Sequence, residues 1–226
     1  MIFDAHSDFG IQIYREHIKS KKGCLSDLHY PNLIKSNVRV EVITIGGDFI
    51  LGGIDFSKYD VIYETIKAVK DEINMSCGKF FLIEDEKDFK QVHTTNSIGI
   101  ILGLEGASVL SDRSVTIEKL YKEGVRTIIL TNNEGNLFSG GCSNKNVGLS
   151  GLGKDLIKDI LQFPIVLDLA HISEKAFFEI TNIFDYPLIV SHGNLKSFSK
   201  HFRNLTDGQM RVVYANLKIG QKSIEN

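Results

Sequence analysis

The chain alternates short, nearly continuous apolar runs with longer stretches of helical period. Six runs read as strands: Ile2–His6, Val38–Ile45, Ile98–Leu104, Val125–Thr131, Ile165–Ala170 and Leu188–Ser191. Runs such as Ile98-Gly-Ile-Ile-Leu-Gly-Leu104 lack the in–out alternation of a half-exposed strand, which marks strands covered on both faces. Between them lie helical patterns. Phe56–Met75 places Val61, Ile62, Ile66, Val69 and Ile73 on one face. Thr116 is a cap for Ile117–Glu123, and Gly124 closes that helix. Leu152–Leu161 gathers Leu156, Ile157, Ile160 and Leu161 on one side. Ser173 caps a helix running to Asn182, and Thr206 caps a last one from Asp207 to about Leu217. Strand and helix in repeated alternation predict a parallel α/β architecture. The glycine-rich stretch 135–153 reads as a long loop after the fourth strand, a place where function tends to sit.

Composition narrows the picture further. A chain of 226 residues is long enough for one domain with a real core, so 1–226 is expected to be a single domain. The net charge of −2 gives no electrostatic reason to expect nucleic acid or an anionic membrane as partner. No apolar run approaches the roughly 20 residues needed to cross a bilayer. Cys24, Cys77 and Cys142 are odd in number and widely spaced, with no Cys-x-x-Cys. Free thiols are therefore expected, rather than a disulfide framework or a thiolate zinc site. Met1 leads directly into the first strand with no signal-peptide pattern, so the expected location is cytoplasmic.

The chemistry gathers at strand ends. In parallel α/β proteins the carboxyl ends of strands are where sites are built. Ile165–Ala170 is followed by His171, and Leu188–Ser191 by His192. Asp4-Ala-His-Ser-Asp8 closes the first strand, and the two-residue period turns His6 and Asp8 to one side. Gly103-Leu-Glu-Gly106 closes the third and offers Glu105, a carboxylate able to bridge two metals. His6, Asp8, Glu105, His171 and His192 thus form a set of nitrogen and oxygen ligands of the kind zinc accepts. Asn132 and Asn133 follow the fourth strand, placed to orient a substrate carbonyl or to cap the loop. His17, His29, His93 and His201 fall in helices or loops and are expected at the surface. The glycine pairs 46–47 and 52–53 form no phosphate-binding motif.

These motifs together resemble the membrane (renal-type) dipeptidase family of zinc peptidases. The matching pieces are Asp4-Ala-His-Ser-Asp8, Gly103-Leu-Glu-Gly106, Leu130-Thr131 with its asparagines, Gly148–Lys154, Asp168-Leu-Ala-His-Ile-Ser173, Ser191-His192 and Arg203-Asn-Leu-Thr-Asp207. The resemblance spans residues 1 to about 212. It implies a (β/α)8 TIM-barrel-type metal-dependent hydrolase with two Zn2+, although nitrogen and oxygen sites also accept manganese or cobalt. His6 and Asp8 would serve one ion, His171 and His192 the other, with Glu105 as the catalytic bridge. Arg203 would engage the carboxylate of a dipeptide substrate. Asn132 stands where some members carry a histidine that polarises the scissile carbonyl.

The resemblance also sets an expectation of truncation. Six strands and a divergent tail over about 213–226 fall short of the eight strands and ~250 residues of a full barrel. The family's late aspartate, which moves a proton during hydrolysis, has no counterpart here. The expected activity is hydrolysis of dipeptides by a dizinc-activated hydroxide, weakened by that gap. Open barrel edges would favour self-association or a homo-oligomer. Two other readings stand beside it: a non-catalytic metal-binding remnant, and another amidohydrolase-type enzyme. Those enzymes commonly open with His-x-His, where this chain has His6-Ser7-Asp8.

Overall fold

The computed structural model describes residues 1–224, which form two compact units. The first comprises Met1–Leu104 and Leu120–Arg126; the second comprises Glu105–Lys119 and the described residues from Thr127 onward.

The first unit opens with β1 (Ile2–Ser7), which leads through Asp8 into α1 (Phe9–His17). A short π-helical turn at Leu25–His29 and α2 (Tyr30–Lys35) follow. Then comes β2 (Val38–Gly47), which pairs with β1 in parallel, Asp4 opposite Glu41. A hairpin of β3 (Ile50–Leu51) and β4 (Ile54–Asp55) precedes α3 (Tyr59–Met75). Next are β5 (Phe80–Leu82), α4 (Glu86–Thr94) and β6 (Ile98–Glu105). β2 lies between β1 and β6, and β5 pairs with β6 in parallel. All eight residues of β6 are buried, as its unbroken apolar run requires.

The helices of this unit hold their places through specific contacts. α3 buries Ile62, Ile66, Ala68 and Val69 along one stripe. Its buried Glu72 accepts hydrogen bonds from the backbone N–H groups of Gly23 and Leu25 at 2.7 and 2.9 Å and lies 2.9 Å from His17 Nε2. Three partners on one buried carboxylate tie the chain after α1 to α3. His17 is thus largely buried, its side chain 13% exposed, and His29 stacks on Phe9. Both were expected at the surface; their ring partners were invisible in the sequence. His93 and His201 are exposed. Asp85 caps α4 with a reciprocal box to Asp88.

β7 (Val125–Ile129, entered from α5, Ile117–Lys122) belongs to the second unit from Thr127 on, where it pairs in parallel with β8 (Val166–Asp168), and β8 pairs with β9 (Leu188–Ile189). α6 (Gly151–Ile160) joins β7 to β8 and α7 (Glu174–Ile183) joins β8 to β9, the βαβ order expected. Ser150 and Ser173 cap these helices, and Thr116 Oγ1 accepts from Lys119 as expected of a cap. Thr206 and Gln209 form a second reciprocal box at the start of α8 (Asp207–Ile224). α8 extends past the expected end near Leu217; of the tail, Glu225 and Asn226 lie outside the described residues.

The strand count differs from expectation. Seven strands form parallel pairs or join them in the sheet, because Phe80-Phe81-Leu82 is a strand of three residues, too short for a periodicity to register. The strands also end earlier than their apolar runs: Leu169-Ala170 and Val190-Ser191 lie beyond β8 and β9. None of the described helices is long and apolar enough to cross a membrane. Cys24, Cys77 and Cys142 are free thiols, as expected.

Gly10 shows how tightly α1 seats on β2. A Cβ there would stand 2.2 Å from the carbonyl oxygen of Thr44, a backbone atom with little room to move. Gly10→Ala is expected to destabilise the protein by about 2 kcal/mol, the order of an overpacked core. Urea titration followed by circular dichroism checks this.

Candidate metal centre

In the second unit the site is built on one buried carboxylate. Asp168, the last residue of β8, is 3% exposed. Its Oδ1 accepts the N–H of Ala170 at 2.9 Å and that of Ser191 at 3.1 Å. The chain beyond β8 and the chain beyond β9 therefore share one acceptor. The next residue in each is a histidine.

His171 adopts a left-handed backbone, φ 64°, which few residues other than glycine accept, histidine among them. Neighbours grip that turn. The His171 carbonyl accepts from Cys142 N at 2.7 Å and from Thr131 Oγ1 at 3.3 Å, and Ser173 N donates to the Gly140 carbonyl at 2.9 Å. The glycine-rich loop thus folds back as a brace for His171. Gly141 is required in it, since a Cβ would come within 2.2 Å of the Asn133 carbonyl oxygen.

Three ligand-type side chains then meet. His171 Nε2 lies 2.7 Å from Glu105 Oε1 and 2.9 Å from His192 Nε2. Glu105 and His192 also offer ligand atoms within 4.8 Å of each other. Glu105 is 6% exposed and ends β6, where Gly106 N donates to the Ile129 carbonyl at 2.8 Å. The outer nitrogens of both rings are engaged: His171 Nδ1 lies 2.9 Å from Asn133 Oδ1, and His192 Nδ1 lies 2.8 Å from Ser191 Oγ.

The donor chemistry tests whether a cation fits. An amide oxygen can only accept, so Asn133 Oδ1 favours the tautomer in which His171 Nδ1 carries the proton. With that tautomer, Nε2 turns a lone pair toward the Glu105 carboxylate. Two acceptors at 2.7 Å repel unless a proton or a metal cation lies between them. An imidazole held at its outer nitrogen by a neighbouring side chain, with its inner nitrogen facing a carboxylate and a second imidazole, is the usual setting of a metal-ligating histidine. The nitrogen and carboxylate donors suit zinc and other borderline divalent ions. The residues fit a metal.

Arg203 stands at the same place. Its Nη1 touches both ring nitrogens of His171 and lies 3.3 Å from Asn133 Oδ1. It borders a small cleft whose lining includes His171, His192, Lys145, Lys196 and Phe202. Cys142 lines the cleft too. Burial pushes its thiol pKa up, with Arg203 opposing the shift. Asn132 is half-buried, and its side-chain oxygen accepts the Asn133 N–H at 2.6 Å.

In the first unit, His6 and Asp8 fall at the end of β1 with His6 Nε2 3.9 Å from Asp8 Oδ1. Thr44 Oγ1 lies 3.5 Å from His6 Nδ1. Opposite Asp4 in the ladder is Glu41, fully buried, with neither carboxylate oxygen in hydrogen-bonding geometry with a donor. Burial pushes its carboxyl pKa up to about 7; Ser7 opposes the shift and Asp4 adds to it. Sequence reading passed over Glu41 because a charged residue inside an apolar run gives no sign of which way it points. It also gave no roles to Asp168 and Ser191, whose signal was their place beside the two histidines.

Comparison with known proteins gives the family and the fold. The model of the membrane dipeptidase family, peptidase family M19, matches residues 1–219, and the chain belongs to that family. A protein of Klebsiella pneumoniae, described as an uncharacterized protein in the pqqA 5′ region, is 27% identical over 161 residues, which cover 68% of this chain and 59% of that one. Dipeptidase tcpJ of Claviceps purpurea is 23% identical over 67% of this chain and 35% of its own length. The chain thus spans about a third to three-fifths of these relatives. Among solved structures, a metallo peptidase termed dipeptidase AC superposes with a TM-score of 0.80 at 20% identity over 95% of this chain and 69% of that chain. A metallo peptidase of Rhodobacter sphaeroides, bound to a phosphinate mimic of L-Ala-D-Ala, gives 0.79 at 18% identity over 95% and 71%. The fold is the α/β, TIM-barrel type of these peptidases, represented over part of its length.

Two outcomes follow from this geometry. Asp168→Ala removes the acceptor of two buried N–H groups and is expected to cost about 2–4 kcal/mol, taking 1–3 for each orphaned group with partial relief by water; denaturant titration measures it. Glu41 titrates at about 7 when folded and near 4.5 when unfolded, so the folded state holds the extra proton between those values. Its contribution is whole below pH 4.5 and is lost as pH rises through 7, a decline of about 3 kcal/mol. Glu41→Gln should abolish that component of the slope in urea titrations at pH 5 and 7.5.

Proposed function

We propose that this chain supplies the metal centre and carboxylate anchor of a metal-dependent dipeptidase, cleaving the peptide bond between two amino acids. Membership of the dipeptidase family supports the reaction class. The observation that carries the reading within the chain is the placing of Glu105 Oε1 and His192 Nε2 around the inner nitrogen of His171. His171 and His192 would hold one divalent cation and His6 and Asp8 a second, with Glu105 shared between them. Zinc is the ion proposed. Such ions, when bound, supply Lewis acidity toward a carbonyl and make water nucleophilic near neutral pH.

The chain's own residues do the rest. Asp168 holds both histidine-bearing turns in register. Asn133 and Ser191 aim the two rings. Arg203 presents a planar donor pair to the C-terminal carboxylate of a dipeptide, a task a lysine would perform less specifically. Lys145 and Lys196 border the same cleft and add to its positive field, although Lys196 also faces Glu174 at 3.4 Å. Asn132, with its oxygen on the Asn133 N–H, is free to turn its amide N–H groups outward to a substrate carbonyl.

The test is hydrolysis of a dipeptide panel, with bound metal measured in the same samples. Turnover should depend on added Zn2+ and vanish with a chelator. A variant carrying both His171→Ala and His192→Ala should lose metal and fall to background. Undiminished cleavage in that variant, or with chelator present, overturns the proposal. Cleavage of cyclic amides in preference to dipeptides would move the chain to the amidohydrolase-type reading.

A further inference from the structure

We propose that Asn133 is a positioning residue that couples the metal ligand His171 to the carboxylate anchor Arg203. The inference rests on the dipeptidase reading for what those two residues do, and on geometry for the coupling itself.

Three donors converge on Asn133 Oδ1: His171 Nδ1 at 2.9 Å, Cys142 Sγ at 3.2 Å and Arg203 Nη1 at 3.3 Å. A guanidinium has no acceptor, so the atom facing it is the amide oxygen and not the amide nitrogen. An oxygen there favours the His171 tautomer with its proton on Nδ1, which leaves the Nε2 lone pair facing Glu105 and His192, while Arg203 Nη1 abuts both ring nitrogens, so that ring and guanidinium share this one acceptor at close quarters. One oxygen thereby sets the tautomer of a ligand and the position of a cation that would bind substrate.

The rest of Asn133 is immobilised for the task. Its N–H donates to Asn132 Oδ1 at 2.6 Å. Its carbonyl accepts from Ser143 N at 2.9 Å and Ser143 Oγ at 2.7 Å. The loop carrying it is braced against the His171 turn through Cys142 N. A residue serving only to cap the loop would need these backbone contacts alone. The side-chain oxygen aimed at two functional groups is additional to them.

The consequence is a paired defect. Asn133→Leu keeps the side-chain size and removes the acceptor. It is expected to weaken metal affinity by roughly 10–100-fold, as loss of an outer partner of a ligating histidine does, and to raise KM for dipeptides because Arg203 loses its brace. Asn133→Asp keeps an acceptor oxygen and should restore metal affinity toward the parent value.

The experiment titrates apo-protein with Zn2+ against a chromogenic chelator for the parent, Asn133→Leu and Asn133→Asp. In parallel, 15N NMR of the histidine rings reads the His171 tautomer. Weakened metal binding in Asn133→Leu, recovery in Asn133→Asp and loss of the Nδ1–H tautomer only in Asn133→Leu support the proposal. Parent-like affinity and tautomer in Asn133→Leu overturn it. If Asn133→Leu does not fold, Asn133→Ser, whose hydroxyl is too short to reach His171, takes its place. If the parent protein binds no metal, the dipeptidase reading fails, and the coupling is decided by the tautomer alone.

Discussion

Two separate turns of chain hang from a single carboxylate oxygen. Asp168 Oδ1 accepts one N–H from the segment after β8 and one from the segment after β9. Each of those segments delivers its imidazole within one residue of the tethered N–H. Parallel strands already bring their carboxyl ends side by side. The shared acceptor turns that rough proximity into a 2.9 Å approach between two ring nitrogens. Being 3% exposed, the carboxylate cannot readily exchange these partners for water. Everything chemical in the second unit depends on that fixed point.

Around it, the protein uses neighbours of modest kind to hold reactive groups still. Ser191 faces the outer nitrogen of His192, and Asn133 that of His171. Neither is a ligand. Each engages the outer ring nitrogen and so orients the imidazole, and an acceptor there draws the ring proton outward, away from the inner nitrogen. The glycine-rich loop contributes by close backbone approach, with Gly141 lying where no side chain fits. Its length is explained by bracing: the loop must leave β7, double back and meet the carbonyl of His171 before α6 begins.

Most of the fold was legible because apolar runs and caps report local structure directly. The caps at Ser173, Thr116 and Thr206 appear where the sequence puts them. The seventh strand did not announce itself, since three residues carry no period; neither did α1, whose Phe9, Ile11 and Ile13 fall two apart like a strand, nor α2, which is only one or two turns long, nor α4, whose apolar positions are sparse. Within the site, Glu105, His171 and His192 could be read from their places after strands, and these three are brought together. The partners that orient them could not. Asp168, Ser191 and Asn133 are ordinary polar residues whose importance comes from which N–H or ring atom faces them, a property of three-dimensional arrangement. The same limit hid Glu72 beneath His17 and left Glu41 unnoticed inside an apolar strand.

The left-handed backbone at His171 narrows what evolution can do at that position. An alanine or a branched residue would have to carry the steric cost of φ 64°, whereas glycine, asparagine and aspartate tolerate it. Two of those three tolerant replacements are themselves oxygen donors to cations. Drift at this codon is therefore steered toward side chains that either keep some grip on an ion or vanish altogether.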